Sequence, residues 1–345
     1  SLDEAIFQFN KEIIDATLDV VACYKVQIAY YEALGLAGLM AYKKTLEYLR
    51  IKDAIIIADI KRGDIMATAT QYAKGHFSGD FEADFITLSP YMGMDSIEPY
   101  MPYMENGNKG VFVLVRTSNP GAEDIENIDT KDNSKVYKVV GDKLTKMGES
   151  IKGECGYSAI GGVIGCTHVE EGKEIRERYK NMFFLIPGYG AQGGKAEDVA
   201  LYLRNGNGGV VNSSRAILLA YKKENKPEEF ALCARKEAIR MRDEIQTGIY
   251  KMVVKDKNKA KAGQFYMLKH NGTTLLPRPI SVCETNGETL TFVYAVVGNG
   301  TKEYAELKVG DTISLNGPLG NGFNLEEDYG KVALVSGGIG TAPML

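Results

Sequence analysis

The sequence predicts a parallel β/α barrel followed by a small antiparallel β domain. Two observations carry this. Through residues 1–246, short β-branched apolar runs alternate with longer amphipathic stretches, the pattern of parallel strands joined by helical crossovers. Several of the runs end in charged or glycine-rich segments, and in a β/α barrel the functional residues stand at strand carboxyl ends. After Gly248 the texture changes to glycine-punctuated strand patterns, which suit a small antiparallel barrel. An open doubly wound sheet is the alternative for the first part.

The expected strands, in order, are VVACYKVQ (20–27), DAIIIADI (53–60), DFITLS (84–89), GVFVLVRT (110–117), AIGGVIG (159–165), MFFLIP (182–187) and GGVVNSS (208–214). Helical patterns such as AGLMAYKKTLEYLR and AEDVALYLRN fill most of the gaps, and PEEFALCARKEAIRMRDEI (227–245) would close the barrel. The chain opens with EAIFQFNKEIIDATLD, a helical pattern where a barrel places a strand. The expectation is therefore a TIM (β/α)8-type barrel lacking its first strand, in a chain cut from a longer protein. Such a piece, made alone, would expose two unpaired strand edges and be a poor, aggregation-prone enzyme.

Beyond the barrel, IYKMVVKD, QFYMLKH, TLTFVYAVV and DTISLNG read as strands. The last stretch, KVALVSGGIGTAPML, reads as a strand, a glycine turn and a first helical turn, with Pro343 suited to a helix start. The expected boundaries are 1–246 for the barrel, 247–330 for the β-barrel and 331–345 for the truncated start of a nucleotide-binding domain.

Composition narrows the function. A formal net charge of −4 argues against a general nucleic-acid binder. The five cysteines are scattered without a C-x-x-C pair, so reduced thiols in a cytoplasmic protein are the expectation. Only His76, His168 and His270 are present, which leaves little support for a histidine metal site or triad; no metal is expected. No stretch has the length and apolarity of a membrane span, and no signal peptide opens the chain.

The chemistry concentrates at ADIKRGD (58–64). Asp59 and Lys61 lie two apart on a strand and would share a face, with Asp64 just beyond, in a turn loosened by Gly63. Charges at the end of a buried strand are costly unless they pair or react, and a structural ion pair is the plain alternative. Lys25, in ACYKVQIAYYEALG, is another charge inside an apolar strand. RTSNPGA (116–122) offers Ser118 as a donor to a heterocycle carbonyl or ring nitrogen. PGYGAQGG (187–194) and NSSRAIL (212–218) follow the seventh and eighth strands by barrel order, where phosphate sites commonly lie. There Gln192 and Arg215 are the candidate phosphate donors.

These residues resemble the orotidine 5′-phosphate decarboxylase family, in its bacterial subgroup with longer loops, over roughly residues 1–246. The D-x-K-x-x-D signature stands as Asp59, Lys61 and Asp64, with Lys25 on the preceding strand, the SNPG loop, PGYGAQGG and the arginine of SSR. The resemblance implies decarboxylation of orotidine 5′-phosphate to UMP and CO2 without a cofactor. It implies Ser118 at the pyrimidine and Gln192 with Arg215 at the phosphate. It also implies a homodimer in which Asp64 and Thr68 reach the neighbouring subunit's site. The family's first strand carries a ribose-binding Asp that nothing in this chain matches. Mg²⁺-dependent phosphosugar decarboxylases share D-x-K-x-x-D and are the nearest rival; the SNPG and PGYGAQGG stretches speak against them.

In the C-terminal part, LLPRPISVCE (275–284) puts Arg278, Pro279 and Ser281 at the end of an expected strand, where they would suit a diphosphate clasp; an edge-strand proline beside a solvated arginine is the plain alternative. GPLGNGF (317–323) and VSGGIGTAP (335–343) follow, the latter a strand–glycine–helix turn suited to a nucleotide phosphate. This part is similar to the electron-transfer subunit of NAD-linked dihydroorotate dehydrogenase, in the ferredoxin reductase-like superfamily. That resemblance implies an FAD half-site at Arg278, Pro279 and Ser281, with Gly337, Gly338 and Gly340 opening the nucleotide domain, and a dihydroorotate dehydrogenase catalytic subunit as partner. The competing reading of the whole chain is a flavin-binding electron-transfer partner with an inactive, truncated barrel.

Overall fold

The computed structural model describes residues 1–322 except 106–107, 191–193, 195, 205–206, 248, 258–259, 262, 271–275 and 297–298. The chain divides into two compact units, Ser1–Arg242 and Asp243–Leu345.

In the first unit every expected strand forms: β1 (Tyr24–Gln27), β2 (Ile56–Arg62), β3 (Phe85–Leu88), β4 (Gly110–Arg116), β5 (Ile160–Ile164), β6 (Phe184–Ile186) and β7 (Gly209–Val211). The helices between them are α1 (Leu2–Thr17), α2 (Ala29–Glu32), α3 (Gly35–Ile51), α4 (Met66–Phe77), α5 (Met101–Glu105), α6 (Val136–Met147), α7 (Val169–Arg178), α8 (Ala196–Tyr202), α9 (Arg215–Leu218), α10 (Ala220–Glu224) and α11 (Phe230–Thr247). The strands pair in parallel and in sequence order, β1 to β7. A doubly wound sheet reverses its strand order partway; unbroken sequential order is that of a β/α barrel.

The helical layer closes on itself. Phe9 of α1 stacks on Phe230 of α11 with ring centroids 4.9 Å apart. Arg235 of α11 donates to Asp19 Oδ1 at 2.5 Å and to the Ala16 carbonyl at 2.7 Å. The last helix thus lies against the first. Helix α1 is also tied to α3, where Lys44 pairs with Asp3 and Glu4 at 2.8 and 2.7 Å.

Glycine makes one interior contact possible. A Cβ on Gly161 of β5 would stand 2.7 Å from the Phe112 ring. Without it, Phe112 of β4 reaches across β5 to Phe183, 6.4 Å between centroids.

The second unit holds β8 (Ile249–Lys255), β9 (Phe265–Lys269), β10 (Arg278–Thr285), β11 (Thr289–Ala295), α12 (Asn299–Ala305) and β12 (Ser314–Leu319). These five strands make an antiparallel sheet in the order β12-β9-β10-β11-β8. Its apolar face gathers Tyr266, Leu268, Val282, Leu290 and Phe292. One expectation is corrected here: Arg278, Pro279 and Ser281 do not end a strand but begin β10. Pro279 is tolerated because it stands near the strand's start. Gly337, Gly338 and Gly340 lie outside the described residues.

Candidate active site

The register of β1 on β2 sets the site. Lys25 pairs with Ile57 and Gln27 with Asp59, so Lys25, Ile57 and Asp59 project from one face of the sheet. That face carries the cluster of Ile57, Phe112, Val163 and Leu185. An apolar layer therefore underlies a charged one. Lys25 Nζ donates to Asp59 Oδ2, and Lys61 Nζ donates to Asp59 Oδ1 at 2.5 Å. The Asp59 and Lys25 side chains are 7% and 12% exposed, whereas Lys61 is 46% exposed. One ammonium is largely covered, the other open to a ligand, with a buried carboxylate between them. Burial by itself would push the Asp59 carboxyl up; Lys25 and then Lys61 outweigh it and hold it below the usual carboxylate range.

Lys61 meets Asp59 as two residues sharing a strand face are expected to, but its backbone is not plainly extended. Lys61 has φ +46°, a left-handed conformation that costs a non-glycine residue about 1–2 kcal/mol. The pairing of β2 with β3 shifts register between Ala58 and Arg62. Thr87 of β3 explains how the chain holds this shape. Its hydroxyl accepts from the Ile60 and Lys61 backbone N–H groups, both at 2.9 Å, and donates to Asp59 Oδ1 at 3.0 Å. One buried hydroxyl thus uses its single donor and both acceptor positions. Sequence reasoning missed Thr87; a hydroxyl between the apolar Ile86 and Leu88 of DFITLS, next along the barrel from DAIIIADI, was the available signal. Gly63 is also used differently from the expectation. A Cβ there would stand 3.0 Å from the Ser89 carbonyl oxygen, so its role is close approach rather than turn flexibility.

The remaining candidates are distributed as follows. Asp64 Oδ1 accepts from the Ile65 N–H at 2.8 Å, and its carboxylate makes no ion pair with Lys61 of the same chain. Thr68 is exposed near the start of α4. Ser118 follows β4 and packs on the backbone after β5, since a Cβ on Gly165 would come within 2.6 Å of Ser118 Cβ. Arg215 opens α9, exposed, with no ion pair to another described residue. Gln192 lies outside the described residues. The loop around it is closed by Gly190 N–H donating to the Gly194 carbonyl at 2.8 Å and Gly194 N–H to the Gly188 carbonyl at 3.2 Å. In the second unit, Arg278 shares its face of β10 with Ile280 and Val282, and Pro279 and Ser281 take the exposed face. Arg278 donates to the Leu276 carbonyl at 3.1 Å. Arg278 and Ser281, expected together at a diphosphate, thus stand on opposite faces of β10.

Two hydroxyls at strand carboxyl ends also went unread in the sequence. The hydroxyls of Ser213, after β7, and Thr167, after β5, are buried with no hydrogen-bond partner among the described residues. Buried polar groups are nearly always satisfied, so each hydroxyl has a hydrogen bond left to give beyond these residues. The thiols of Cys23 and Cys166 offer no competing nucleophile: burial pushes both up to about 11, which leaves little thiolate at neutral pH. No group of three or more metal-ligating side chains is assembled, and no helix is long and apolar enough to cross a membrane, among the described residues.

Comparison with known proteins places this arrangement. The model of the orotidine 5′-phosphate decarboxylase / HUMPS family matches residues 1–230. Orotidine 5′-phosphate decarboxylase of Clostridium tetani is 68% identical over 247 residues, covering 72% of this chain and 86% of that protein. The Clostridium perfringens (strain SM101) enzyme of the same name is 69% identical over 248 residues, with the same shares. Among solved structures, Leishmania donovani UMP synthase superposes with a TM-score of 0.60 at 31% identity, covering 70% of this chain and 50% of that one. The OMP decarboxylase of the same organism gives a TM-score of 0.56 at 29% identity, covering 70% and 88%.

Proposed function

Because the chain belongs to the orotidine 5′-phosphate decarboxylase / HUMPS family, we propose that Lys25, Asp59 and Lys61 carry out its carboxy-lyase reaction on orotidine 5′-phosphate. The observation that carries this is the buried Asp59 carboxylate held between two ammonium groups, of which only Lys61 is open. When the C6–carboxylate bond breaks, CO2 leaves and the electron pair stays on C6. Lys61 stabilises that charge as an oriented cation and then delivers its proton to C6, acting as general acid. Lys25 and Thr87 fix Asp59, and Asp59 fixes Lys61. The proton lost from Lys61 is regained from solvent, so no redox partner enters the balance. Within the family, the high identity to decarboxylases favours this substrate over a phosphosugar.

Asp64 and Thr68 belong, in this reading, to the site of a second copy. What supports it is Asp64's position away from its own Lys61, together with the exposed apolar side chains around it. Tyr30, Leu36, Ile65, Met66 and Tyr91 are all exposed. They stand on α2, at the starts of α3 and α4, and just after β3, segments tied together by the Arg62–Glu32 pair at 2.9 Å and by the close approach of Gly63 to Ser89. Several large apolar side chains left exposed near Asp64 favour an interface there.

Arg215, with Ser213 and Gln192, is assigned to the phosphate. Arg215→Ala is expected to lower kcat/KM by about 2–4 kcal/mol, the loss of a charge-assisted contact to a dianion. A substrate lacking the phosphate should hardly notice the change. Decarboxylation of both substrates is followed through the orotate chromophore, and equal losses with the two would remove the assignment.

For the second unit the reading is a flavin half-site. Its support is the order of RPIS, GPLGNGF and GGIGTAP; the opposite faces taken by Arg278 and Ser281 speak against a two-residue clasp. No step of the decarboxylation passes through it. Protein that stays colourless after incubation with FAD and gel filtration would end this reading.

A further inference from the structure

Arg116, the last residue of β4, is the largest fully buried side chain among the described residues, 1% exposed. A buried guanidinium is costly unless charges and hydrogen bonds surround it, and here they come from two different loops. Its Nε donates to Glu171 Oε2 of α7 at 2.9 Å, and one Nη2 hydrogen goes to Glu123 Oε1 at 2.6 Å. The other Nη2 hydrogen is shared between His168 Nδ1 at 3.2 Å and Glu171 Oε1 at 3.3 Å. Nη1 lies 3.6 Å from Glu126, and the guanidinium covers the Tyr137 ring at 5.4 Å.

The partners of Arg116 then grip the next residue. An arginine can only donate, so His168 accepts at Nδ1 and carries its proton on Nε2. That Nε2 is 2.9 Å from the Thr117 carbonyl oxygen and donates to it. On the other side, Thr117 N–H donates to Glu126 Oε2 at 2.8 Å. The Thr117 carbonyl belongs to the peptide unit that leads into Ser118, so its plane is set by the His168 proton. Gly165 supplies a third wall, since no Cβ fits between it and Ser118.

We propose that Arg116, acting through the Nε2–H tautomer of His168, is a positioning device that presents Ser118 to the pyrimidine ring. It couples the loop after β4 to the loop after β5. Neither Arg116 nor His168 touches substrate; both act on the Thr117–Ser118 peptide. The proposal rests on the reading of Ser118 as the pyrimidine contact, and the test separates the two.

Affinities for UMP and for ribose 5-phosphate, which has no base, are measured by calorimetry on the unsubstituted protein and on Ser118→Ala, His168→Phe, His168→Ala and His168→Gln. A glutamine amide offers a carbonyl to Arg116 and an N–H to Thr117, the same donor–acceptor pair as the imidazole tautomer. His168→Ala serves if the phenyl ring prevents folding, and ribose 5-phosphate binding reports an intact phosphate site. The expected result is about a tenfold loss of UMP affinity in Ser118→Ala, His168→Phe and His168→Ala, unchanged ribose 5-phosphate binding in all of them, and recovery in His168→Gln. If Ser118→Ala loses UMP affinity while His168→Phe and His168→Ala do not, the positioning role is wrong and the Ser118 reading stands. If Ser118→Ala binds UMP normally, the Ser118 reading falls and takes the proposal with it. Equal losses for UMP and ribose 5-phosphate at His168 would show general distortion and overturn the proposal.

Discussion

Lys61→Ala is expected to remove decarboxylation while leaving UMP binding nearly unchanged. The expected fall in kcat is on the order of 10⁴-fold or more, because one ammonium both stabilises the developing charge and delivers the proton. Binding survives because the proposed phosphate and pyrimidine contacts lie on other loops, after β4, β6 and β7. The open position of Lys61, 46% exposed against 12% for Lys25, is what separates the reacting ammonium from the supporting one. Single-turnover assays with orotidine 5′-phosphate, alongside UMP titration, make the comparison. A variant with near-normal turnover would assign the proton to another group.

Asp59→Ala should damage both catalysis and stability. It leaves Lys25 largely covered without its counter-charge, and removing one partner of a buried pair typically costs about 3–5 kcal/mol. Thr87 loses its acceptor at the same time. The depressed Asp59 pKa adds a pH signature. The unfolded chain takes up this proton at a higher pH than the folded one. The contribution is therefore complete above the ordinary carboxylate range and is lost as pH falls through the lower folded value. Asp59→Asn keeps the shape but cannot titrate, so its melting temperature should fall less steeply on acidification than that of the unsubstituted protein. Parallel acid limbs in the two melting profiles would show that Asp59 is not the group whose charge holds this site together.

Much of the fold was legible because its causes are local. A short β-branched run such as DAIIIADI can bury itself only as a strand, and the stripe of FALCARKEAIRMRDEI only as a helix. The expected strands of the first unit all formed for that reason. The charged residues of ADIKRGD were conspicuous because charge at the end of an apolar strand is costly without a partner. That cost alone fits a structural ion pair equally well; Lys25 and Asp59 became site candidates only together with Lys61, Asp64 and the motifs at the other strand ends.

What the tertiary structure alone decided depends on groups far apart in the chain. The left-handed turn at Lys61 is held by Thr87, 26 residues on, and strand alternation could not foresee it. Arg116 looked like an ordinary strand end, yet folding encloses it between Glu123 and Glu171, the latter 55 residues away. Local pattern placed Arg278 and Ser281 at the end of one strand; the sheet made them the start of β10, on opposite faces. Periodicity and composition report which segments must be buried and which charges need partners. Which partner a buried donor or acceptor finds is set by strand register and loop approach, and those are fixed only when distant segments pack together.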